Sequence, residues 1–299
     1  MNQRVQIRML DDGRRMHLHD GPIDLIVEAF RSPREVEAAY RAAGERFVTV
    51  LDELCGELSF LRRACSTGSA WPRGAVARRM TAAVMPYAAE CFVTPMAAVA
   101  GAVAEEILAA MVLAAKLSRA YVNDGGDIAL HLSPREKFVV GMVERPDRPS
   151  LCGTTTLNSD DPVRGIATSG WRGRSFSLGI ADAVTVLADR AAAADVAATI
   201  IANAVDLPGH PAIVRVPACE LAPDNDLGNR LVTRAVGELT AEEVHQALEG
   251  GTRTAQRLLR MGLIRSAALS LEGETRVVRV SGESRMIATP VRERRLVHA

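Results

Sequence analysis

The sequence predicts an α+β fold in which a layered antiparallel sheet packs against long helices. Short segments alternate apolar and polar residues and are joined by tight turns, as antiparallel strands are. Longer segments repeat apolar residues every three or four positions, as amphipathic helices do. Because no linker is long enough to force two independent domains, we expect one domain over residues 1–285 and a disordered tail over residues 286–299.

The N-terminal segment predicts three strands. Residues 4–9 and 14–19 alternate around an Asp-Asp-Gly turn, and a Gly-Pro turn leads into a third strand at residues 23–29. His17 and His19 share one face of the second strand and could bind a metal ion. Since no third ligand is evident nearby in the sequence, we interpret them as solvated strand positions.

Helix starts are predicted at two capping boxes, Ser32-Pro33-Arg34-Glu35 and Thr240-Ala241-Glu242-Glu243. Another helix is predicted over residues 95–119, and its first part, residues 97–102, has almost no bulky side chains. Such a surface allows close packing against a sheet, and it also allows another backbone or a flat ligand to come close. The sequence leaves both interpretations open.

Composition excludes some classes of partner. The 299-residue chain has 36 basic and 36 acidic residues and no long basic face, so nucleic acid is not the expected partner. The apolar tract at residues 96–115 is broken by Glu105-Glu106 and predicts a core helix rather than a membrane span. Five cysteines without a CxxC pair, together with a charged N-terminus, indicate a cytoplasmic protein. A homodimer is compatible with the sequence.

Residues 165–203 combine a loop of small residues, a buried strand and an alanine-rich helix. On this helix Asp195 and Thr199 are four residues apart, which places the carboxylate and the hydroxyl on one face. Hard oxygen ligands so arranged suit Mg²⁺ that is also held by a substrate phosphate. The alternative is structural: Thr199 bonds the carbonyl one turn back, and Asp195 is favoured by the helix dipole.

A second polar segment follows a short buried strand at residues 121–122. Asn123, Asp124, two glycines and Asp127 would form a hairpin turn. A diglycine turn exposes backbone N–H groups, and the carboxylate of Asp127 can accept hydrogen bonds from a heterocycle or a ribose. A turn and a binding role are therefore compatible here.

These segments resemble motifs of the ApbE superfamily of flavin transferases. Thr168-Ser169-Gly170 is similar to its ATSG motif, residues 194–199 to ADALATA, and residues 123–127 to NxGGD, in the same order. The resemblance extends to a branch of stand-alone ApbE-like proteins in archaea and proteobacteria. That branch carries PMAAVAGAxAE, GGDI, SFSxGxADA and DLGxRLVT, which correspond to residues 95–105, 125–128, 175–183 and 226–233.

The resemblance implies an ApbE-like, T-fold-related architecture, FAD or FMN as the cofactor, and Mg²⁺. The metal would be held by Asp195, Thr199 and a main-chain oxygen of the segment at Ala100. The nucleotide would contact the two loops through Asn123, Gly125, Gly126, Asp127, Thr168, Ser169, Gly170 and Arg174.

Two departures from the transferase motifs bear on activity. Ala100 stands where transferases have a lysine before the glycine, and Arg174-Ser175-Phe176-Ser177 replaces their HIIDP motif. Ser175 and Asp182 are the candidate catalytic replacements, although a structural turn role for Asp182 fits equally well.

Three hypotheses follow. The protein is a diverged Mg²⁺-dependent FMN transferase, a non-catalytic cofactor-binding protein, or a T-fold-related enzyme acting on a pterin-like or aromatic heterocycle. In each case the partner is a small-molecule nucleotide or heterocycle, and neither nucleic acid nor a membrane.

Overall fold

The structure is a computed structural model that describes residues 4–68, 71–143, 151–279 and 286–287. The helices within these residues are α1 (Pro33–Gly56), α2 (Leu58–Leu61), α3 (Ala75–Val84), α4 (Val99–Ala114), α5 (Ala191–Ala204), α6 (Ala218–Leu221) and α7 (Ala241–Arg260). The strands are β1 (Gln6–Met9), β2 (Met16–Asp20), β3 (Ile23–Phe30), β4 (Arg119–Asp124), β5 (Asp127–Leu132), β6 (Lys137–Val143), β7 (Leu151–Asn158), β8 (Gly165–Ser169), β9 (Ala183–Ala188), β10 (Ile213–Pro217), β11 (Leu231–Val236), β12 (Ser266–Leu271), β13 (Glu274–Arg279) and β14 (Met286–Ile287).

Nine strands form the main sheet, in the order β1-β2-β3-β4-β5-β8-β9-β12-β13, and every neighbouring pair is antiparallel. Tight turns join several neighbours because glycine supplies the left-handed backbone they need. Gly125 and Gly126, with φ of 61° and 116°, make the turn between β4 and β5. The predicted α+β fold with a layered antiparallel sheet is confirmed.

Helices α1, α4, α5 and α7 lie side by side on one face of this sheet, in the same order as the strands they cover. The alanine-rich α5 lies over β8 and β9, and all six residues of β9 are buried. At its N-terminal end α4 contacts α5 closely: a Cβ on Gly101 would lie 2.4 Å from the main-chain oxygen of Ala191. The small residues predicted at 97–102 therefore accommodate another backbone.

A smaller three-stranded sheet, β14-β7-β6, covers part of the opposite face. Apolar residues from both sheets meet there in a second core, formed by Leu130, Leu157, Val163, Ile166 and Leu187. Strands β10 and β11 pair separately as a two-stranded sheet. Of the predicted tail, Met286–Ile287 pair with β7, and residues 288–299 lie outside the described residues.

One capping box and one helix boundary differ from the predictions. Helix α1 begins at Pro33, as predicted, but Ser32 makes no side-chain capping hydrogen bond. The Glu35 carboxylate accepts from the N–H of Lys116 at 2.8 Å. The helix predicted to reach residue 119 ends at Ala114, and Ser118 then donates its N–H to the carbonyl of Phe30 at 2.9 Å. The second capping box, Thr240 with Glu243, is confirmed.

One helical run in the described part of the chain, Pro95–Ala114, is apolar and long enough to cross a membrane by composition, with a mean hydropathy of 1.9. In the structure this run packs against α1, α5, β4 and β5.

Candidate functional site

A pocket of about 620 Å³ lies where the β4–β5 turn meets the N-terminal ends of α4 and α5 and the edge of the smaller sheet. This volume is in the range of small-molecule sites. Apart from Asp182, every site residue predicted from the sequence lines it. They are Ala100, Asn123, Gly125, Gly126, Asp127, Thr168, Ser169, Gly170, Arg174, Ser175, Asp195 and Thr199.

Three carboxyl groups lie at the inner end of the pocket. Asp124 ends β4 and is only 6% exposed, Asp127 begins β5, and Asp195 projects from the second turn of α5. Asp127 and Asp195 keep part of their surface open to the pocket although they lie deep in the protein. The hairpin and the helix, predicted separately, are thus brought together.

Each of these carboxyl groups has a raised pKa, and burial is the main cause. Burial raises the pKa of Asp124 to about 7, against the opposing effect of Arg174. The pKa of Asp127 is raised by burial and then by the charges of Asp195 and Asp124. The pKa of Asp195 is also raised, although the N–H of Gly101 favours its ionised form. Like charges crowded in a buried site favour protonation or a bound cation.

Near their N-terminal ends, α4 and α5 each supply a carboxylate that accepts a hydrogen bond from a main-chain N–H of the other helix. The carboxylate of Asp195 on α5 accepts from the N–H of Gly101 on α4 at 3.0 Å. In return, Glu105 on α4 accepts from the N–H of Ala192 on α5 at 2.9 Å. Each acid satisfies amide groups that its neighbour's first turn leaves without an internal partner. The floor of the pocket is therefore fixed by two interhelical hydrogen bonds.

The outer end of the pocket carries the cationic side chain of Arg174. Its guanidinium group lies directly against Gly125: a Cβ there would be 1.8 Å from Nη2. Gly125 therefore serves both the left-handed turn and the close approach of the arginine. A guanidinium group in this position can hold a phosphate with two parallel hydrogen bonds.

Hydroxyl groups line the wall between the two ends. The Oγ1 atoms of Thr168 and Thr185 lie 2.9 Å apart, and the N–H of Thr168 donates to Asp127 at 3.3 Å. Thr155, from the smaller sheet, is 2% exposed, and its Oγ1 has no hydrogen-bond partner in the protein. A buried hydroxyl without a partner is costly, so a ligand that reached it would gain a hydrogen bond.

Asp182 is not brought to the lining of the pocket. It is 3% exposed, pairs with the guanidinium of Arg172, and accepts from the N–H of Glu272 at 2.7 Å. These contacts fit the structural role that was the alternative to a catalytic role for Asp182. The main-chain N–H of Ala100 donates to Asp195. The main-chain oxygen that the resemblance implied as a metal ligand in this segment stays a prediction.

The sequence did not identify the apolar lining of the pocket or four of its polar residues, Asp124, Thr155, Arg172 and Thr185. Asp124 was interpreted only as part of the turn, although its place at the end of a buried strand was a usable signal. Arg172 lies in the loop before Arg174 and is oriented by Asp182. Thr155 has no local signal at all, since it reaches the pocket only because the smaller sheet packs there.

The oxygen donors of the inner end fit Mg²⁺. Asp127 and Asp195 offer carboxylate oxygens and Thr199 a hydroxyl, all facing one pocket. Mg²⁺ prefers such hard oxygen ligands and fills its remaining positions with water or phosphate. Within the part of the chain that the structure describes, these residues could therefore hold the metal only together with further ligands.

Comparison with known proteins finds relatives in methanogenic archaea. The UPF0280 protein of Methanopyrus kandleri is 42% identical over 130 residues, which are 43% of this chain and 48% of the relative. The UPF0280 protein of Methanothermobacter thermautotrophicus is 41% identical over 150 residues, 49% of this chain and 56% of the relative. The matched part of the chain thus spans about half the length of these curated relatives.

Two solved structures are similar in outline. The ApbE protein of Thermotoga maritima has a TM-score of 0.44 at 12% identity, covering 93% of this chain and 97% of its own. A mutant of the flavin transferase ApbE of Vibrio cholerae has a TM-score of 0.37 at 12% identity, with the same coverage. A family model described as AbpE bacteria matches residues 7–277. Since that match covers nearly the whole sequence, the chain belongs to the AbpE bacteria family.

Proposed function

We propose that the pocket binds a flavin nucleotide, FAD or FMN, together with Mg²⁺, and that the protein is a diverged FMN transferase in which binding persists while transfer is weak or lost. The observation that carries this proposal is the difference between the two parts of the pocket. One part is lined by carboxylates and hydroxyls, and the other by apolar side chains between two sheets. A flavin nucleotide combines a charged phosphate group with a flat, largely apolar ring system.

The polar part suits a phosphate bridged by a metal. Asp127, Asp195 and Thr199 would hold Mg²⁺, and the ion's charge would offset the crowding that raises the pKa of both carboxyl groups. When bound, Mg²⁺ would neutralise charge on the phosphates. Because the protein supplies few oxygen ligands, Mg²⁺ should bind weakly alone and more tightly with the nucleotide.

The apolar part suits the ring. Ile128, Ile166 and Leu187 project from the main sheet, and Val140 faces them from the smaller sheet. A pocket wall made of such apolar side chains suits a flat aromatic ring system. Thr155 lies in the same wall and offers an unpartnered hydroxyl to a polar atom of the ring.

Weak transfer is expected from the loop after Gly170. That loop brings Arg174 and Ser175 to the pocket, and these groups can bind a phosphate by charge and by hydrogen bonds. Its acid, Asp182, is held by Arg172 away from the lining. The loop therefore supplies groups for binding, but no free carboxylate for moving a proton.

Calorimetry with FAD and with FMN, each with and without Mg²⁺, tests the binding proposal. We expect Mg²⁺ to tighten binding at least about tenfold, and Asp195→Asn to remove this dependence, because asparagine can still accept from Gly101 but carries no charge. Asp52→Asn, on the exposed surface of α1, is the matched control and should bind normally. Absence of flavin binding would refute the proposal. Tight binding of a free pterin-like heterocycle without Mg²⁺ would instead favour the T-fold-related alternative.

Mass spectrometry tests the expectation about transfer. A threonine-containing acceptor peptide is incubated with the protein, FAD and Mg²⁺, and we expect at most a trace of the flavinyl adduct. A stoichiometric adduct that disappears in Asp195→Asn would show that transfer is intact.

A further inference from the structure

We propose that His17, His19 and Asp24 form a separate binding site for a transition-metal ion of the Zn²⁺ type. The site lies on β2 and β3, on the face of the main sheet that the helices leave uncovered. Two of its three ligands are histidines, a residue type that the pocket lining lacks, and all three lie outside that lining. The proposal therefore goes beyond the flavin-nucleotide function and does not depend on it.

Strand pairing brings the three residues together. In the register of β2 with β3, His19 is opposite Asp24, and His17 lies two residues along the same strand. Because side chains alternate across a strand, His17 and His19 point to one face, and Asp24 faces the same side as its cross-strand partner. The third ligand that the sequence did not reveal is thus supplied by the neighbouring strand.

The distances are short enough for one ion. Nε2 of His17 and Oδ1 of Asp24 are 2.6 Å apart, and the potential ligand atoms of all three residues lie within 4.8 Å of one another. In a tetrahedral site with Zn–ligand distances of about 2.0–2.2 Å, two donors lie about 3.3–3.6 Å apart. Small side-chain rotations would therefore bring all three donors into the coordination shell, and the paired strands could keep their positions.

The donor set and its surroundings fit an open site. Two imidazole nitrogens and one carboxylate are typical of Zn²⁺ sites that keep a fourth position for water or another ligand. His17 and Asp24 line a hollow of about 410 Å³, whose wall includes Gly126 and Arg174 of the neighbouring pocket. With Arg8 also in this wall, the fourth position favours an anionic ligand over a second cation.

Arg8 gives the proposal a specific consequence. Its Nε donates to Nδ1 of His17 at 3.3 Å, so without metal the proton of the imidazole is on Nε2 and is donated to Asp24. When a metal takes Nε2, the proton moves to Nδ1, and Arg8 must withdraw because two donors would then face each other. Removal of the Arg8 side chain should therefore leave metal binding unchanged or make it tighter.

The test is a Co²⁺ titration of untagged, metal-free protein, followed by competition with Zn²⁺. Co²⁺ in a four-coordinate site gives visible absorption bands, and bound thiolate would add a near-ultraviolet band that separates this site from the cysteines. We expect one equivalent per chain without the thiolate band. His19→Ala and Asp24→Asn should each weaken binding at least about tenfold, since loss of even an outer-shell partner costs about 10–100-fold.

Three control variants sharpen the result. Arg8→Ala should bind as tightly as the wild type or more tightly. His245→Ala, an exposed histidine next to Arg276, should not change the binding. Asp195→Asn should also leave the Co²⁺ binding unchanged, which distinguishes this site from the pocket.

Zn²⁺ should raise the thermal midpoint of the wild type but not of His19→Ala, provided both unfold with the same cooperativity. The proposal is overturned if His19→Ala and Asp24→Asn bind Co²⁺ like the wild type, or if no stoichiometric binding occurs.

Discussion

Replacement of Gly101 by alanine tests how closely α4 and α5 must approach to form the floor of the pocket. The new methyl group would lie 2.4 Å from the carbonyl oxygen of Ala191, whereas ordinary contact begins at 3.4 Å, so the helices must separate by about 1 Å. Alanine gains about 1 kcal/mol of helix propensity over glycine. Overpacking of this kind costs about 1–3 kcal/mol, and here the obstructing atoms are backbone atoms that cannot rotate away. We therefore expect a cost at the upper end of this range, about 3 kcal/mol, which less the propensity gain leaves a net loss of about 2 kcal/mol in the free energy of unfolding.

Urea denaturation followed by circular dichroism measures this loss, as a lower midpoint at unchanged slope. The matched control is Gly56→Ala at the end of α1, where a Cβ would meet no atom within 4 Å. That variant should be as stable as the wild type or gain up to about 1 kcal/mol. If Gly101→Ala were as stable as Gly56→Ala, the helices would not be as tightly juxtaposed as the structure indicates.

Three further predictions concern polar residues at or near the pocket. Burial raises the pKa of Asp124 to about 7, so between about pH 4 and pH 7 the folded protein keeps a proton that the unfolded chain releases. The free energy of unfolding should therefore fall as the pH rises across this window. Asp124→Asn should reduce that fall when unfolding free energies are compared at pH 5 and pH 8. Asp182→Ala should lower the unfolding free energy by about 1.5–3 kcal/mol, because it removes the acceptor of Arg172 and of a main-chain N–H. The Mg²⁺ dependence of nucleotide binding, measured by calorimetry, should remain in this variant. Thr155→Val should stabilise the ligand-free protein in thermal unfolding by about 1 kcal/mol, since it removes a buried hydroxyl without a partner, and should weaken flavin binding if the ring contacts that hydroxyl.

The parts of the site that the sequence predicted are those with a local signal. Asp195 and Thr199 follow from a spacing of four residues on one helix, and Asp127 follows a diglycine turn. Local patterns of this kind predict side-chain positions reliably because a helix or a tight turn fixes the direction of its own side chains. Their meeting in one pocket required the sheet order, in which β5 pairs with β8.

The parts that could not be predicted depend on contacts between distant segments. Asp24 completes a cluster with His17 and His19 only through the register of two strands. Glu35 has the sequence position of a capping residue, yet its carboxylate accepts from the main-chain N–H of Lys116, which is 81 residues away in the chain. In the same way, Ser118 pairs with Phe30 and ends a helix that propensity alone would have continued.

The exchange between Asp195 and Glu105 has a consequence for relatives of this protein. Each acid holds the first turn of the other's helix, so loss of either leaves buried amide groups without an acceptor. Folding alone is thus sufficient reason to keep a hydrogen-bond acceptor at position 195, whatever the pocket binds. A relative that had lost every ligand would still be expected to retain it. Thr199 and Asp127 make no such hydrogen bond to the first turn of α4. Whether a relative keeps these two residues is therefore the better guide to whether it still binds a metal.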